Sequence, residues 1–241
     1  MTSLTETLLN GNKKIALLLD PDKATGDSFT NILKTAEESK VDFILAGGSL
    51  TFNDISDLIG RIKKSCRIPV ILFPGNLLQL SREADIVFLL SLISGRNSEL
   101  LIGNHVVAAP FLKDIRSKVI SVGYILIGCG SKTSVEYISQ TESIPSDKPE
   151  IVVATALAGE MLGMKMIYLE AGSGATSHVP LKAISAVKEN VTIPIAVGGG
   201  ITNKEDVKNI FAAGADMIIL GNGCEKRTEL LAEACAVRDG V

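Results

Sequence analysis

Histidine is scarce in this 241-residue chain, with two copies, and cysteine nearly so, with four. Cys66, Cys129, Cys224 and Cys235 are widely and irregularly spaced. That spacing matches neither a disulfide framework nor the paired C-x-x-C pattern of a zinc site, so reduced thiols and a cytoplasmic setting are expected. His105 and His178 belong to no His/Cys/Asp/Glu cluster, which leaves zinc without a ligand set and gives neither histidine a catalytic role. A G-x-S-x-G elbow is also missing, and with it the nucleophile of a serine hydrolase. Basic residues are not in excess: 24 Lys and Arg face 27 Asp and Glu, for a net charge of −3. No nucleic-acid partner is expected, and any anion must be held by local structure. Long apolar runs are lacking too. The polar first 14 residues contain no signal-peptide core, and the run that follows, 15–19, is five residues long, so no membrane span is expected. No linker, internal repeat or low-complexity tract divides the chain, and residues 1–241 are taken as one domain.

What the chain does have is short apolar runs at regular intervals. Segments 15–19, 43–46, 70–73, 86–90, 119–127, 166–169, 195–197 and 217–220 are the lengths of strands buried on both faces. Between most of them, apolar residues fall at helical spacing: Phe29, Ile32, Leu33 and Ala36; Ile55, Leu58, Ile59 and Ile62; Leu181, Ile184 and Val187; Val207, Ile210 and Phe211. Helices are also expected over about 97–109, from Lys148 or Pro149 to 162, and over 228–236. Residues 74–85 leave room for a turn or two of helix at most, and 128–146 read as a long polar loop. Eight strands alternating with helices predict an α/β protein, a parallel (β/α)8 TIM barrel, with a doubly wound open sheet as the rival.

The chemistry gathers where strands empty into glycines. The run 166–169 delivers Tyr168 and Glu170 and then breaks into Gly172-Ser173-Gly174. Tyr168 and Glu170 alternate, so both side chains can share one side of the strand. Two further runs end in Gly198-Gly199-Gly200 and in Gly221-Asn222-Gly223. Glycines let backbone N–H groups approach a phosphate, and a consecutive pair of such loops is the phosphate site of many barrels. Each loop taken alone would also serve as a plain strand-to-helix turn. Glu170 suits a general base or a clamp on a substrate hydroxyl. Asp20, at the end of the first run, suits magnesium as a hard oxygen ligand and equally suits a turn before Pro21. Ser49, after Gly47-Gly48, fits a helix cap or the same metal.

Several of these stretches together closely resemble the geranylgeranylglyceryl phosphate synthase family, which includes heptaprenylglyceryl phosphate synthases. They are LDPDK (19–23), GGS (47–49), PVILFPG (69–75), GYILIG (123–128), YLEAGSG (168–174), VGGGI (197–201) and LGN (220–222), spread over nearly the whole chain. The resemblance implies a modified TIM barrel whose third helix is replaced by a loop, in keeping with the thin 74–85 connection. It implies a prenyltransferase joining a polyprenyl diphosphate, geranylgeranyl diphosphate in the first instance, to the 3-hydroxyl of sn-glycerol 1-phosphate with magnesium (Mg2+) as cofactor. Carried over by position, Tyr168, Leu169, Glu170, Ala171, Gly172, Ser173 and Gly174 would bind glycerol phosphate, with Gly199, Gly200, Gly221 and Asn222 around its phosphate. Tyr168 and Glu170 would be catalytic, and Asp20 and Ser49 would hold the metal. One branch of the family has lysine just before Leu-Asp-Pro. Here the position is Leu18, as in the second branch. A transient membrane-surface contact for product release and assembly into a homo-oligomer complete the expected partners. A sugar-phosphate isomerase and a non-catalytic phospholigand-binding barrel are the rival functions, though strand five ends in Gly128-Cys129 where a paired-acid isomerase would want a carboxylate.

Overall fold

Strand length and alternation decide the architecture. The computed structural model describes residues 3–130, 132–221, 223–224 and 227–241. Its strands are β1 (Lys14–Leu19), β2 (Phe43–Ala46), β3 (Val70–Leu72), β4 (Ile86–Leu92), β5 (Val119–Gly128), β6 (Ile144–Pro145), β7 (Met166–Glu170), β8 (Ile195–Gly198) and β9 (Met217–Leu220). All pairings are parallel. β1 to β5 pair in order, β5 continues to β7, β8 and β9, and β9 returns to β1. Eight strands therefore close a barrel, while β6 adds only a short pairing to the end of β5. The TIM-barrel expectation holds, and the open-sheet rival falls because β4 is bonded to β5 and the ring has no edge.

Because side chains alternate along a strand, each barrel strand feeds two cores. Ala16, Phe43, Leu45, Phe88, Tyr124 and Tyr168 pack together inside the barrel. Their neighbours Leu17, Ile44, Val87, Ile125 and Leu169 pack outward against the helices. Helices α1 (Leu4–Leu9), α2 (Gly26–Glu38) and α3 (Ile55–Ser65) come first in the chain. The apolar faces of α2 and α3 are the eight residues read from spacing, all buried. Next are α4 (Asn104–Leu112), α5 (Ser134–Ser139), α6 (Pro149–Met161), α7 (Leu181–Asn190), α8 (Lys204–Ala212) and α9 (Glu229–Asp239). The segment expected as one helix over 97–109 is instead a π-type stretch (Glu99–Gly103), α4, and a 3-10 stretch (Lys113–Lys118).

Two further stretches hold elements the sequence reading did not expect. The polar stretch after β5 is not a plain loop: it holds α5 and β6. The polar N-terminus forms α1, whose Leu8 is 2% exposed and packs with the barrel interior. It closes the N-terminal end of the barrel.

That end is also where register is pinned. The Asp42, Asp85 and Asp216 carboxylates accept the N–H groups of Ile15, Val70 and Ile195 at 2.8, 2.9 and 2.9 Å. Arg238, Lys63 and Lys188 neutralise the same three acids at 2.6, 2.7 and 2.9 Å. Backbone donors at strand starts are thereby paired instead of being left orphaned. The opposite end keeps its strand termini for chemistry. Between β3 and β4 the chain makes only a 3-10 turn, Leu77–Gln79, so no α-helix covers that part of the wall.

Candidate active site

At the C-terminal end of β7, alternation turns Tyr168 and Glu170 to the barrel interior and Leu169 and Ala171 to the helical layer. Glu170 is 7% exposed. One oxygen, Oε2, accepts the Tyr168 hydroxyl in a short hydrogen bond, and Oε1 accepts the Gly172 N–H at 2.6 Å. Burial raises the carboxyl above its usual range, against the pull of these two donors toward the charged form. Tyr168 is also buried, and burial first, then the neighbouring acid, pushes its hydroxyl well above the ordinary tyrosine range. The pair is a phenol that stays protonated beside a carboxylate whose basicity is enhanced. Such a carboxylate is a stronger proton acceptor than an exposed one.

Glu170 faces a polar cavity of about 790 Å³. Tyr168, Gly172, Ser173, Gly174, Gly199, Gly200 and Gly221 line it together with Asp20 and Ser49, so the structure unites nearly every residue singled out from sequence. Leu169 and Ala171 line neither this cavity nor its neighbour; their side chains belong to the outer core and space the polar residues along β7. Asn222 lies outside the described residues. Among the described residues, the cationic side chains lining the cavity are Lys23 and Lys132.

The glycines of the β8 loop are required by geometry. Gly199 and Gly200 have φ of +81° and +66°, and a Cβ would overlap Glu170 Oε1 at the first and the Ser177 carbonyl at the second. The loop thus presses its bare backbone against Glu170 and the β7 loop. At Gly221, by contrast, the one described residue a Cβ would meet is Leu18, at 3.8 Å. Loops after the seventh and eighth barrel strands, here β8 and β9, are where TIM barrels hold phosphate.

Asp20 and Ser49 fit a magnesium ion. Asp20 Oδ1 is taken by the Asp22 N–H at 3.0 Å, whereas Oδ2 faces Gly48, where a Cβ would sit 3.4 Å away. Lys23 Nζ is 3.9 Å from the same oxygen. One carboxylate and one hydroxyl suit an ion that takes its remaining ligands from water and phosphate oxygens. Among the described residues no group of three His, Cys, Asp or Glu side chains could cage a metal. His105 bonds Ser91 Oγ through Nε2 at 2.8 Å, and His178 Nδ1 donates to the Val179 carbonyl at 2.7 Å.

Sequence reading missed the second compartment. An apolar cavity of about 310 Å³ adjoins the polar one, lined by Leu77, Leu80, Leu89, Leu92, Leu100 and Ala108 among others. It occupies the place a third helix would have filled. Its only sequence signal was the short 74–85 connection. Gln79, also missed, is buried in that connection; its amide donates to the Gly48 carbonyl at 2.8 Å and accepts the Gly75 N–H at 3.0 Å, tying the β2 and β3 loops together. Helix α5 brings Val135 and Ile138 to both cavities.

The sequence model of the PcrB family matches residues 10–237. The chain belongs to the PcrB family. A geranylgeranylglyceryl phosphate synthase of Spirosoma linguale is 47% identical over 98% of this chain and 96% of the relative. One of Chitinophaga pinensis is 48% identical over 92% and 89%. The crystal structure of (S)-3-O-geranylgeranylglyceryl phosphate synthase from Thermoplasma acidophilum, in complex with sn-glycerol-1-phosphate, matches with a TM-score of 0.90 at 32% identity over the whole of both chains. The resemblance drawn from motifs is thus confirmed across the chain, and the enzyme class is prenyltransferase.

Proposed function

We propose that this enzyme transfers a polyprenyl group, geranylgeranyl in the first instance, from its diphosphate to the 3-hydroxyl of sn-glycerol 1-phosphate. The observation that carries the reading is the pairing of a polar cavity, holding a buried basic carboxylate, with an apolar cavity that opens from it. A sugar-phosphate isomerase has no use for the second, and a passive binder has none for Glu170. In the reaction Glu170 takes the hydroxyl proton as the glycerol oxygen bonds to the first prenyl carbon. The carbon–oxygen bond to diphosphate breaks, and its electron pair leaves with diphosphate. Tyr168 and the Gly172 N–H hold the carboxylate in place throughout. Asp20 and Ser49 would hold magnesium, which when bound neutralises charge on the diphosphate.

The proposal extends to a homo-oligomer, for which Ile102, Val106, Val107 and Met161 offer exposed apolar surface. It extends also to transient contact with a membrane when the lipid product leaves; no described helix is long and apolar enough to cross one. The test is to incubate the protein with labelled geranylgeranyl diphosphate, sn-glycerol 1-phosphate and magnesium, and to follow the ether by mass spectrometry. Chelation should stop it and the enantiomeric glycerol phosphate should be a poor acceptor. Absence of ether with every prenyl diphosphate of a graded-length series would sink the reading.

A further inference from the structure

The two cavities meet at a neck. Gly48, Ser49, Phe73, Tyr124, Val135 and Ile138 line both. A substrate with its diphosphate in the polar compartment and its chain in the apolar one must place its first carbon here, beside Glu170. Two of the six residues are aromatic, and both pack on the tyrosine that holds Glu170. The Phe73 and Tyr124 ring centres lie 5.6 and 5.1 Å from that of Tyr168, at 77° and 76°, and 6.2 Å from each other. Lys23 and Lys132 line only the polar side, so no described cation stands in the neck.

We propose that Phe73 and Tyr124 are catalytic residues whose rings stabilise the positive charge that develops on the allylic carbon as diphosphate departs. The inference rests on the proposed function. As the carbon–oxygen bond lengthens, its electron pair goes to diphosphate and the allyl unit carries the deficit until the glycerol oxygen supplies a new pair and loses its proton to Glu170. An aromatic ring attracts such a charge through its quadrupole, and the attraction grows when water is excluded. Tyr124 is 7% exposed, and burial, followed by the Glu170 charge, keeps its hydroxyl protonated, so the ring stays neutral. Leucine keeps an apolar side chain there, somewhat smaller, without the quadrupole. The neck therefore separates packing from catalysis by substitution.

The experiment compares Tyr124→Phe, Tyr124→Leu and Phe73→Leu with the parent in kcat and in directly titrated binding of two probes. One probe is a prenyl ammonium ion, with nitrogen where the charge develops, given with inorganic diphosphate; the other is its uncharged hydrocarbon isostere. Tyr124→Phe should keep kcat within about threefold, and each leucine variant should lower it about ten- to thirtyfold, the range from a partly to a fully desolvated cation–ring attraction. The leucine variants should also lose about tenfold in affinity for the ammonium ion while holding the isostere nearly as well. A packing role would weaken both probes alike or leave both unchanged, and either result overturns the proposal. Phe73 is less buried than Tyr124, so its variant carries the test should Tyr124→Leu fold poorly. If the parent makes no ether, the proposed function fails first and this inference with it; an active parent with fully active leucine variants overturns this inference alone.

Discussion

Glu170 is expensive to bury as a charged group, and the base role proposed for it draws on that cost. Its folded pKa is raised, so the folded state binds the proton more tightly than the unfolded chain does. Stability from this group is full below the unfolded carboxylate range, about pH 4.3, and declines as pH climbs toward the raised folded value. Glu170→Gln keeps the shape and removes the charge. Its Tm relative to the parent should therefore rise as pH climbs above about 4.3 toward the raised folded pKa, while kcat falls by roughly 10²- to 10⁴-fold. The parent's kcat should in turn drop on the acid side as Glu170 takes a proton. Flat relative Tm and near-parent kcat would reduce Glu170 to a hydrogen-bonding clamp. The phosphate loops call for a gentler probe. Gly200→Val would overlap the Ser177 carbonyl and rebuild the loop. Among the described residues Gly221→Ala meets only Leu18, at 3.8 Å, so it should fold normally and raise the titrated Kd for sn-glycerol 1-phosphate roughly ten- to hundredfold by obstructing a backbone–phosphate contact. An unchanged Kd would remove Gly221 from the site.

Among the elements, the two that sequence reading missed share one signature. Ser3-Leu-Thr-Glu6 opens α1 and Thr133-Ser-Val-Glu136 opens α5, and both are capping boxes in the structure. Short helices with such starts lie below the length at which apolar periodicity speaks, which is why 128–146 read as loop. The long amphipathic helices α2 and α3 were legible residue by residue, since four inward positions each fix a face. Strand ends were legible too, because a buried run that breaks into glycine places its last polar residue at the mouth. The apolar cavity was not: its walls come from the connection after β3, from β4, α4 and α5, and no local pattern announces a space between distant segments. Thr133→Ala tests the α5 reading. Losing the cap should cost about 1 kcal/mol and fray the helix. Because Val135 and Ile138 line both cavities and Thr133 itself lines the polar one, KM should rise for prenyl diphosphate and for glycerol phosphate alike; an unchanged KM for either would detach α5 from that side.

The molecule as a whole divides its labour between the ends of the barrel. Asp42, Asp85, Asp216 and Leu8 secure the N-terminal end, far from Glu170. Leu8→Ala should accordingly lower unfolding free energy by about 2–5 kcal/mol in urea titrations and leave kcat within a factor of two or so. A large loss of kcat in the folded variant would mean that the two ends are coupled. The wall itself is uneven. β4 and β5 are joined through six residue pairs, but β3 contributes three residues and meets β4 through two, Ile71 with Ile86 and Leu72 with Val87. That short seam is followed by the connection that walls the apolar cavity, where the chain makes a 3-10 turn and no α-helix. Local opening is easiest where few bonds and little packing must be given up together. The barrel should breathe there, with deuterium entering the β3 and β4 amides ahead of those in the other barrel strands and a long-chain ligand in the cavity slowing it. A prenyltransferase whose apolar cavity must admit its substrate's chain would then have its point of give built into the wall.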